Sequence, residues 1–406
     1  MKKSFTRKRI MILGAGVYQV PLIKKAQEMG FETIVVSCKG KYPGIDLADI
    51  FLDIDTTDVE RVTEAAREYG ISGVATTGTD VCMPAMGSVV DMLDLPGTGY
   101  GAACRSMDKI LMKRAFMLAA IPTAAFSAFD DPVEAKRFAD HIGYPVMVKT
   151  TDSSGSRGIT KVTAERRFAF AWERAKSVSR SKQIIVEQYL SGVEFGAQAF
   201  VHGDKVAAVF LHGDTVTPAP YFSPIGHSMP SSLTDNQQRK VEEVIEQAVR
   251  ALGLRDCVSN VDLMLVDGEP MIIEMGARMG ATCIPECISV YTGMDVYEHV
   301  IALAMGEHRD ITVSNRQANA GLLLRSDKTG TVRLLDVPED VLKHPDLIDL
   351  QWDISVGDQV CKFKVGPDRI GHILVKANTS QAGERLVECL ASQLTITVYQ
   401  EGERMP

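Results

Sequence analysis

The chain has 406 residues, 45% hydrophobic and 24% charged, with a formal net charge of −8. That length accommodates two or three domains with substantial cores, and the acidic balance argues against a dedicated nucleic-acid binder, which carries a basic face. No run of roughly 18 or more apolar residues occurs, so no membrane-spanning helix is expected. The basic start, MKKSFTRKRI, leads straight into a short strand without a long apolar region, so a signal peptide is not expected. Eight cysteines are scattered without a Cys-x-x-Cys pair; Cys283 and Cys287 are the nearest and have no matching second pair for zinc. A reduced, cytoplasmic chain is expected.

The N-terminal hundred residues alternate strands and helices: a strand over Arg9–Leu13, a helix over Tyr18–Met29, strands over Phe31–Ser37 and Ile50–Asp53, a helix near Val59–Tyr69, a strand over Gly73–Thr76, and a helix through Val81–Leu93. That rhythm implies a parallel sheet with helices on its faces. Gly14-Ala15-Gly16 follows the first strand as a dinucleotide fingerprint would. However, position 19 is glutamine rather than the third glycine, and the second strand ends Val35-Val36-Ser37-Cys38 with no acid for a ribose hydroxyl. NAD binding is therefore disfavoured, although the turn can still offer helix-start amides to an anion. Leu95-Pro96-Gly97-Thr98-Gly99 marks a boundary, and one helix is expected over roughly Gly101–Ala119.

From Ile121 to about Met305 hairpins mix with helices. Val146-Met147-Val148-Lys149 reads as a strand ending in a lysine, followed by the small-residue loop Thr150 to Ile159. Such a loop lets backbone amides approach phosphate oxygens while Lys149 supplies a fixed charge; a plain hairpin connection reads equally well. Ile184-Ile185-Val186-Glu187-Gln188-Tyr189-Leu190 is a strand whose end can offer backbone groups to an adenine edge. Glu194 beyond it can accept from ribose hydroxyls, although alone both acids are ordinary strand-end residues. Val241, Val244, Ile245, Ala248, Val249 and Leu252 mark an amphipathic helix whose stripe is core.

Around Asp267-Gly268, apolar and polar residues mix at period two, as in an antiparallel hairpin running into Arg278. With a three-residue loop, Asp262 faces Glu274 and Met264 faces Ile272. With a two-residue turn, the register slips and the carboxylates go to opposite faces. Opposed carboxylates repel, and a chain keeps that repulsion where a hard cation lies between them. The alternative is a solvated hairpin with two surface acids. The segment from about Asn315 is strand-rich with one late helix near Gln381–Ala391.

Taken in order, these segments resemble the ATP-grasp superfamily over most of the chain. The resemblance implies α/β and α+β architecture: an N-terminal parallel α/β domain (1–100), a central two-subdomain ATP-grasp fold (101–310; lid about 121–190, metal hairpin about 258–278) and a strand-rich C-terminal domain (311–406). It places Lys109, in Asp108-Lys109-Ile110-Leu111-Met112-Lys113, and Lys149 on ATP phosphate. Ser154, Gly155, Ser156 and Gly158 fall in the glycine-rich lid. Glu187, Gln188 and Leu190 fall at the adenine hinge, with Glu194 at the ribose. Asp262 and Glu274 match the magnesium carboxylates, and Arg278 the guanidinium on transferred phosphate or substrate carboxylate. One departure stands out: Gly276 occupies the position where the family commonly has a metal-binding asparagine. The implied cofactors are ATP and Mg²⁺, with Mn²⁺ as a substitute. The implied reaction makes an acyl phosphate from a carboxylate, which an amine then attacks.

The C-terminal stretch from Val356-Gly357-Asp358 through Gly366–Val375 resembles the terminal domain of L-amino-acid ligases, which join two amino acids. In that reading His227, in Gly226-His227-Ser228-Met229-Pro230, contacts the carboxylate or the incoming amine; otherwise it is a turn histidine. Small-molecule carboxylate and amine partners, no nucleic acid, no membrane and, as a family expectation, a homodimer follow. The alternatives are a phosphoribosylglycinamide synthetase-like or other carboxylate–amine ligase, and, from another class, a non-catalytic nucleotide-binding protein.

Overall fold

The computed structural model describes residues 7–151, 158–179, 181, 183–218 and 223–399. The chain is mixed α/β and forms two compact units. The first comprises Met1–Phe210, Leu233–Gly280 and Tyr297–Asp310; the second comprises Leu211–Ser232, Ala281–Val296 and Ile311–Pro406. Among the described residues no helix is long and apolar enough to cross a membrane.

The first unit opens with a parallel sheet in the order Ile50–Asp53, Glu32–Ser37, Arg9–Leu13, Gly73–Ala75. Its central strands are near-continuous apolar runs, with Ile10 to Leu13 and Ile34 to Val36 fully buried, as a sheet covered on both faces requires. Gln19, where a third glycine is missing, folds back over the first turn. Its Oε1 accepts from the Gly16 amide at 2.9 Å, and its Nε2 donates to the Thr77 carbonyl. The side chain thus takes up an amide that a dinucleotide phosphate would need, which supports the reading against NAD.

The single helix expected over Gly101–Ala119 is two, Tyr100–Met107 and Lys109–Leu118. Asp108 breaks it: its backbone is extended (φ −85°, ψ 113°) and its Oδ1 accepts from the amides of Ile110 and Leu111 at 2.8 and 3.0 Å. A side-chain acceptor at this position satisfies amides that a helix start leaves orphaned. The restart puts Lys109 and Lys113 one turn apart, both buried.

A four-stranded antiparallel sheet follows in the order Phe126–Phe129, Ile184–Gln188, Val146–Thr150, Thr160–Val162. Val146, Val148, Ile184 and Val186 pack on Phe168 and Trp172 of the helix Phe168–Val178. Lys149 and Glu187 lie on the opposite face, because successive strand side chains alternate. The remaining strands of this unit run Glu269–Gly276, Cys257–Val266, Val193–His202, then the start of Lys205–Val216. The helix Asp235–Leu252 buries the expected stripe from Val241 to Leu252 and is fixed by a Thr234–Gln237 capping box and a left-handed Gly253.

Within the second unit, the segment from about Asn315 is strand-rich, as expected. The end of Lys205–Val216 pairs antiparallel with Pro224–Met229, and Asn319–Leu324, Gly371–Lys376 and Leu347–Trp352 continue the ladder. The late helix, Ser380–Ala391, packs on Asn319–Leu324.

Candidate nucleotide and metal site

The hairpin reaches the expected pairing of carboxylates by an unexpected route. Its turn is the two residues Asp267 and Gly268, with Val266 opposite Glu269, not a three-residue loop. Met264 therefore faces Met271 instead of Ile272. Left alone, that register would send Asp262 and Glu274 to opposite faces. A bulge between Asp262 and Leu263 in the pairing leaves Ile273 as the extra residue and restores Asp262 opposite Glu274. Burial records the slip: along Glu269–Gly276 the alternation breaks where Ile273 and Glu274 are both half-buried in succession.

One face of this sheet carries the acids. Asp262 is flanked by Gly196 on the neighbouring strand, and Met264 by Glu194. Asp262 Oδ1 accepts from Asn260 Nδ2 at 3.1 Å. Asn260 Oδ1 in turn accepts from Gln198 Nε2 at 2.7 Å, and Gln198 Oε1 accepts from the Gly280 amide at 2.9 Å. Lys109 Nζ lies 2.5 Å from Glu274 Oε1, with the lysine side chain only 10% exposed. Burial pulls the Lys109 pKa down, but Glu274 beside it outweighs that and leaves it raised, so the lysine is charged. Two carboxylates paired at roughly 4.5–5.5 Å between Cβ atoms offer hard oxygen donors, which suit Mg²⁺ or Mn²⁺. Gly276 adds no donor.

Arg278 forms a two-point ion pair with Asp80, Nη2 to Oδ2 at 2.8 Å and Nε to Oδ1 at 2.7 Å. Burial opposes the guanidinium charge, and Asp80 more than offsets it, raising the Arg278 pKa. Asp80 sits on a loop bound to the same segment: Thr77 bridges Met279, and the Gly78 amide donates to the Met279 carbonyl at 3.0 Å.

Lys149 is paired with Glu187, whose other oxygen lies 2.9 Å from Lys113 Nζ; Glu187 and Lys113 side chains are each 4% exposed. Burial would raise the Glu187 pKa, but the two lysines hold it at about 2. Lys113 is held below its ordinary value by burial, despite Glu187. It also donates to Thr123 Oγ1 at 2.8 Å, which donates to the Ile272 carbonyl at 2.8 Å, tying the trio to the hairpin. The structure thus engages the Glu187 carboxylate with cations and leaves Gln188 exposed at the strand end and Leu190 half-buried beyond it. The amides of Gln188 and Tyr189 are bonded to the Ala125 and Pro145 carbonyls. Glu194 is exposed on the Asp262 face. Of the expected lid residues, Ser154, Gly155 and Ser156 lie outside the described residues. Gly158 is left-handed (φ +74°) and buried beside Thr150.

His227 belongs to the second unit. Asp214 Oδ1 accepts from Nδ1 of both His212 and His227 at 2.7 Å. These three ligand-type atoms lie within 4.8 Å of one another. A separation of 2.7 Å fits a shared proton rather than two ligands of one ion, which at zinc-like bond lengths sit roughly 3.3 Å apart. Both Nδ1 atoms are therefore donors. Burial lowers the His227 pKa against the pull of Asp214, and its Nε2 is buried without a hydrogen-bond partner among the described residues.

Sequence reasoning missed Lys113, Asp80, Asn260, Gln198 and the Asp214–His212 pair. Lys113 had a signal, one helical turn from Lys109. Asp80 had none, being 198 residues from Arg278.

Comparison with known proteins finds matches to two domain models and to several relatives. An ATP-grasp domain model matches residues 142–286, and an L-amino acid ligase C-terminal domain 2 model matches 322–399. The chain is 26% identical to the alanine–anticapsin ligase of Bacillus subtilis (strain 168) over 277 residues. That match covers 62% of this chain and 58% of the ligase, so the chain spans less than two thirds of that relative's length. Among solved structures, the phosphoribosylglycinamide synthetase of Anaerococcus prevotii superposes with a TM-score of 0.82 at 28% identity, covering 97% of this chain and 100% of that one. The L-amino acid ligase of Bacillus licheniformis superposes at 0.81 and 17% identity, covering 97% and 99%. The chain thus carries an ATP-grasp domain followed by an L-amino acid ligase C-terminal domain.

Proposed function

We propose that this protein is an ATP- and Mg²⁺-dependent, ADP-forming ligase that couples a carboxylate to an amine, with two amino acids as the substrates. The observation that carries the reading is Asp262 paired directly with Glu274, with Lys109 on Glu274 and Arg278 near enough to feel the charge of both. In the chemistry, a carboxylate oxygen attacks the γ-phosphorus of ATP and the bond to the ADP oxygen breaks. The amine nitrogen then attacks the acyl carbon, phosphate leaves, and the nitrogen gives up a proton. Phosphoryl transfer needs positioning and charge neutralisation more than a protein nucleophile. Asp262 and Glu274 would hold Mg²⁺, which supplies charge neutralisation and a template on the phosphates.

Lys109, Lys149 and Arg278 each already have a carboxylate partner: Glu274, Glu187 and Asp80. For Lys109 and Lys149, ATP binding would therefore exchange partners rather than bury bare charge, while Arg278 would keep Asp80, and the cations are in place before charge develops. Glu194, on the Asp262 face, is assigned to the ribose, and Gln188 and Leu190 to the adenine hinge. His227 is assigned to a substrate carboxylate or amine, a role supported by its Nε2, which has no hydrogen-bond partner among the described residues.

The C-terminal domain match and the similarity to an alanine–anticapsin ligase favour amino-acid substrates. The full-length superposition on phosphoribosylglycinamide synthetase favours a second reading, a purine-type carboxylate–amine ligase. A matrix of amino-acid pairs with ATP and Mg²⁺, read as phosphate release and product mass, tests both. Dipeptide formation supports the first reading, and turnover only with phosphoribosylamine plus glycine replaces it.

A further inference from the structure

Gly276 sits in an extended strand without a positive φ, so its backbone accepts any residue. What excludes a side chain is one neighbour: a Cβ built at 276 would lie 2.9 Å from Asp80 Oδ1, while the Arg278 side chain is at an ordinary 3.9 Å. A methyl group there forces the Asp80 carboxylate to shift, which disturbs its two-point pair with Arg278. Arg278 also feels the charges of Asp262 and Glu274. Released from Asp80, its guanidinium would be drawn to those acids, where it would compete with a divalent cation for the same oxygens. Asp80 itself is held by its loop, anchored through Thr77, Gly78 and the Thr77 Oγ1 bond to the Tyr18 carbonyl at 2.7 Å.

We infer that Asp80 is a positioning residue that keeps Arg278 off the metal carboxylates, and that Gly276 is bare because the Asp80 carboxylate occupies the space a side chain would take. Residues 80, 276 and 278 are then one unit. The inference rests on the nucleotide–metal reading of the hairpin.

The test is Mg²⁺-dependent binding of ATP, titrated for the unaltered chain, Asp80→Asn, Gly276→Ala and the double variant, with thermal midpoints as a folding control. Each single variant should raise the half-saturating Mg²⁺ concentration about tenfold, the scale of losing one charge-assisted contact. The double variant should go no further, because both changes break the same pair. A purely structural role would lower the melting temperature without moving the Mg²⁺ requirement. If one single variant fails to fold, the other decides alone. If the unaltered chain shows no Mg²⁺-dependent ATP binding, the underlying ligase reading fails. If it does bind, and the single variants keep its Mg²⁺ requirement or the two effects multiply, the role of Asp80 is overturned.

Discussion

Replacing Glu187 with glutamine tests the buried charge trio most sharply. Glu187 is held at about 2 against an ordinary value of 4.5, and both it and Lys113 are almost fully enclosed. A depression of that size corresponds to about 3 kcal/mol of stability, in line with the roughly 3–5 kcal/mol lost when one member of a buried ion pair is removed. The sign follows from the direction. A carboxylate with a depressed folded pKa stabilises above its unfolded value and loses that contribution as pH falls through the folded one. The advantage of the unaltered chain over Glu187→Gln should therefore be full at pH 7, and shrink between about pH 5 and 2. At the alkaline end the variant should recover as pH approaches the ordinary lysine value, because Lys113, already depressed by burial, can shed its proton. Trp172 lies in the core beneath the strand that bears Glu187. Urea unfolding followed by its fluorescence, in a Trp352→Phe background, reads the difference locally. Equal midpoints at pH 7, or a gap that does not change with pH, would refute the coupling of Glu187 to the two lysines.

Two further outcomes concern turnover. Glu274→Gln should abolish ATP-dependent product formation, with a fall of at least about a hundredfold, while the circular dichroism spectrum stays that of the folded chain; full activity removes Glu274 from the metal role. Glu194→Ala should raise the KM for ATP more than it lowers kcat, since a ribose contact is uniform binding, and an unchanged KM contradicts the ribose assignment.

Much of this architecture is legible in the sequence. The N-terminal alternation, the stripe from Val241 to Leu252 and the hairpin around Asp267-Gly268 all follow from period and turn chemistry, which are local signals. The hairpin also shows where local reasoning stops. Turn length alone fixes register only for a regular ladder, and the extra residue Ile273 has no distinguishing composition, so two departures cancelled to give the expected Asp262–Glu274 pair. Asp108 carried a readable cue, an N-cap residue inside an apolar pattern that continues on both sides of it. The partners of the candidate site were not readable in this way. Asp80 meets Arg278 only because the N-terminal loop bridges Met279, and Glu187 meets Lys113 only because a strand and a helix are brought together by tertiary packing. Charges that act through space leave no spacing to read.

The most direct test of the shared metal site is Mn²⁺ binding followed by electron paramagnetic resonance in the presence of a non-hydrolysable ATP analogue. The unaltered chain should take up Mn²⁺ in an analogue-dependent way, and both Asp262→Asn and Glu274→Gln should lose most of that signal. Uptake unchanged in both variants would mean that the paired carboxylates do not hold the nucleotide's metal.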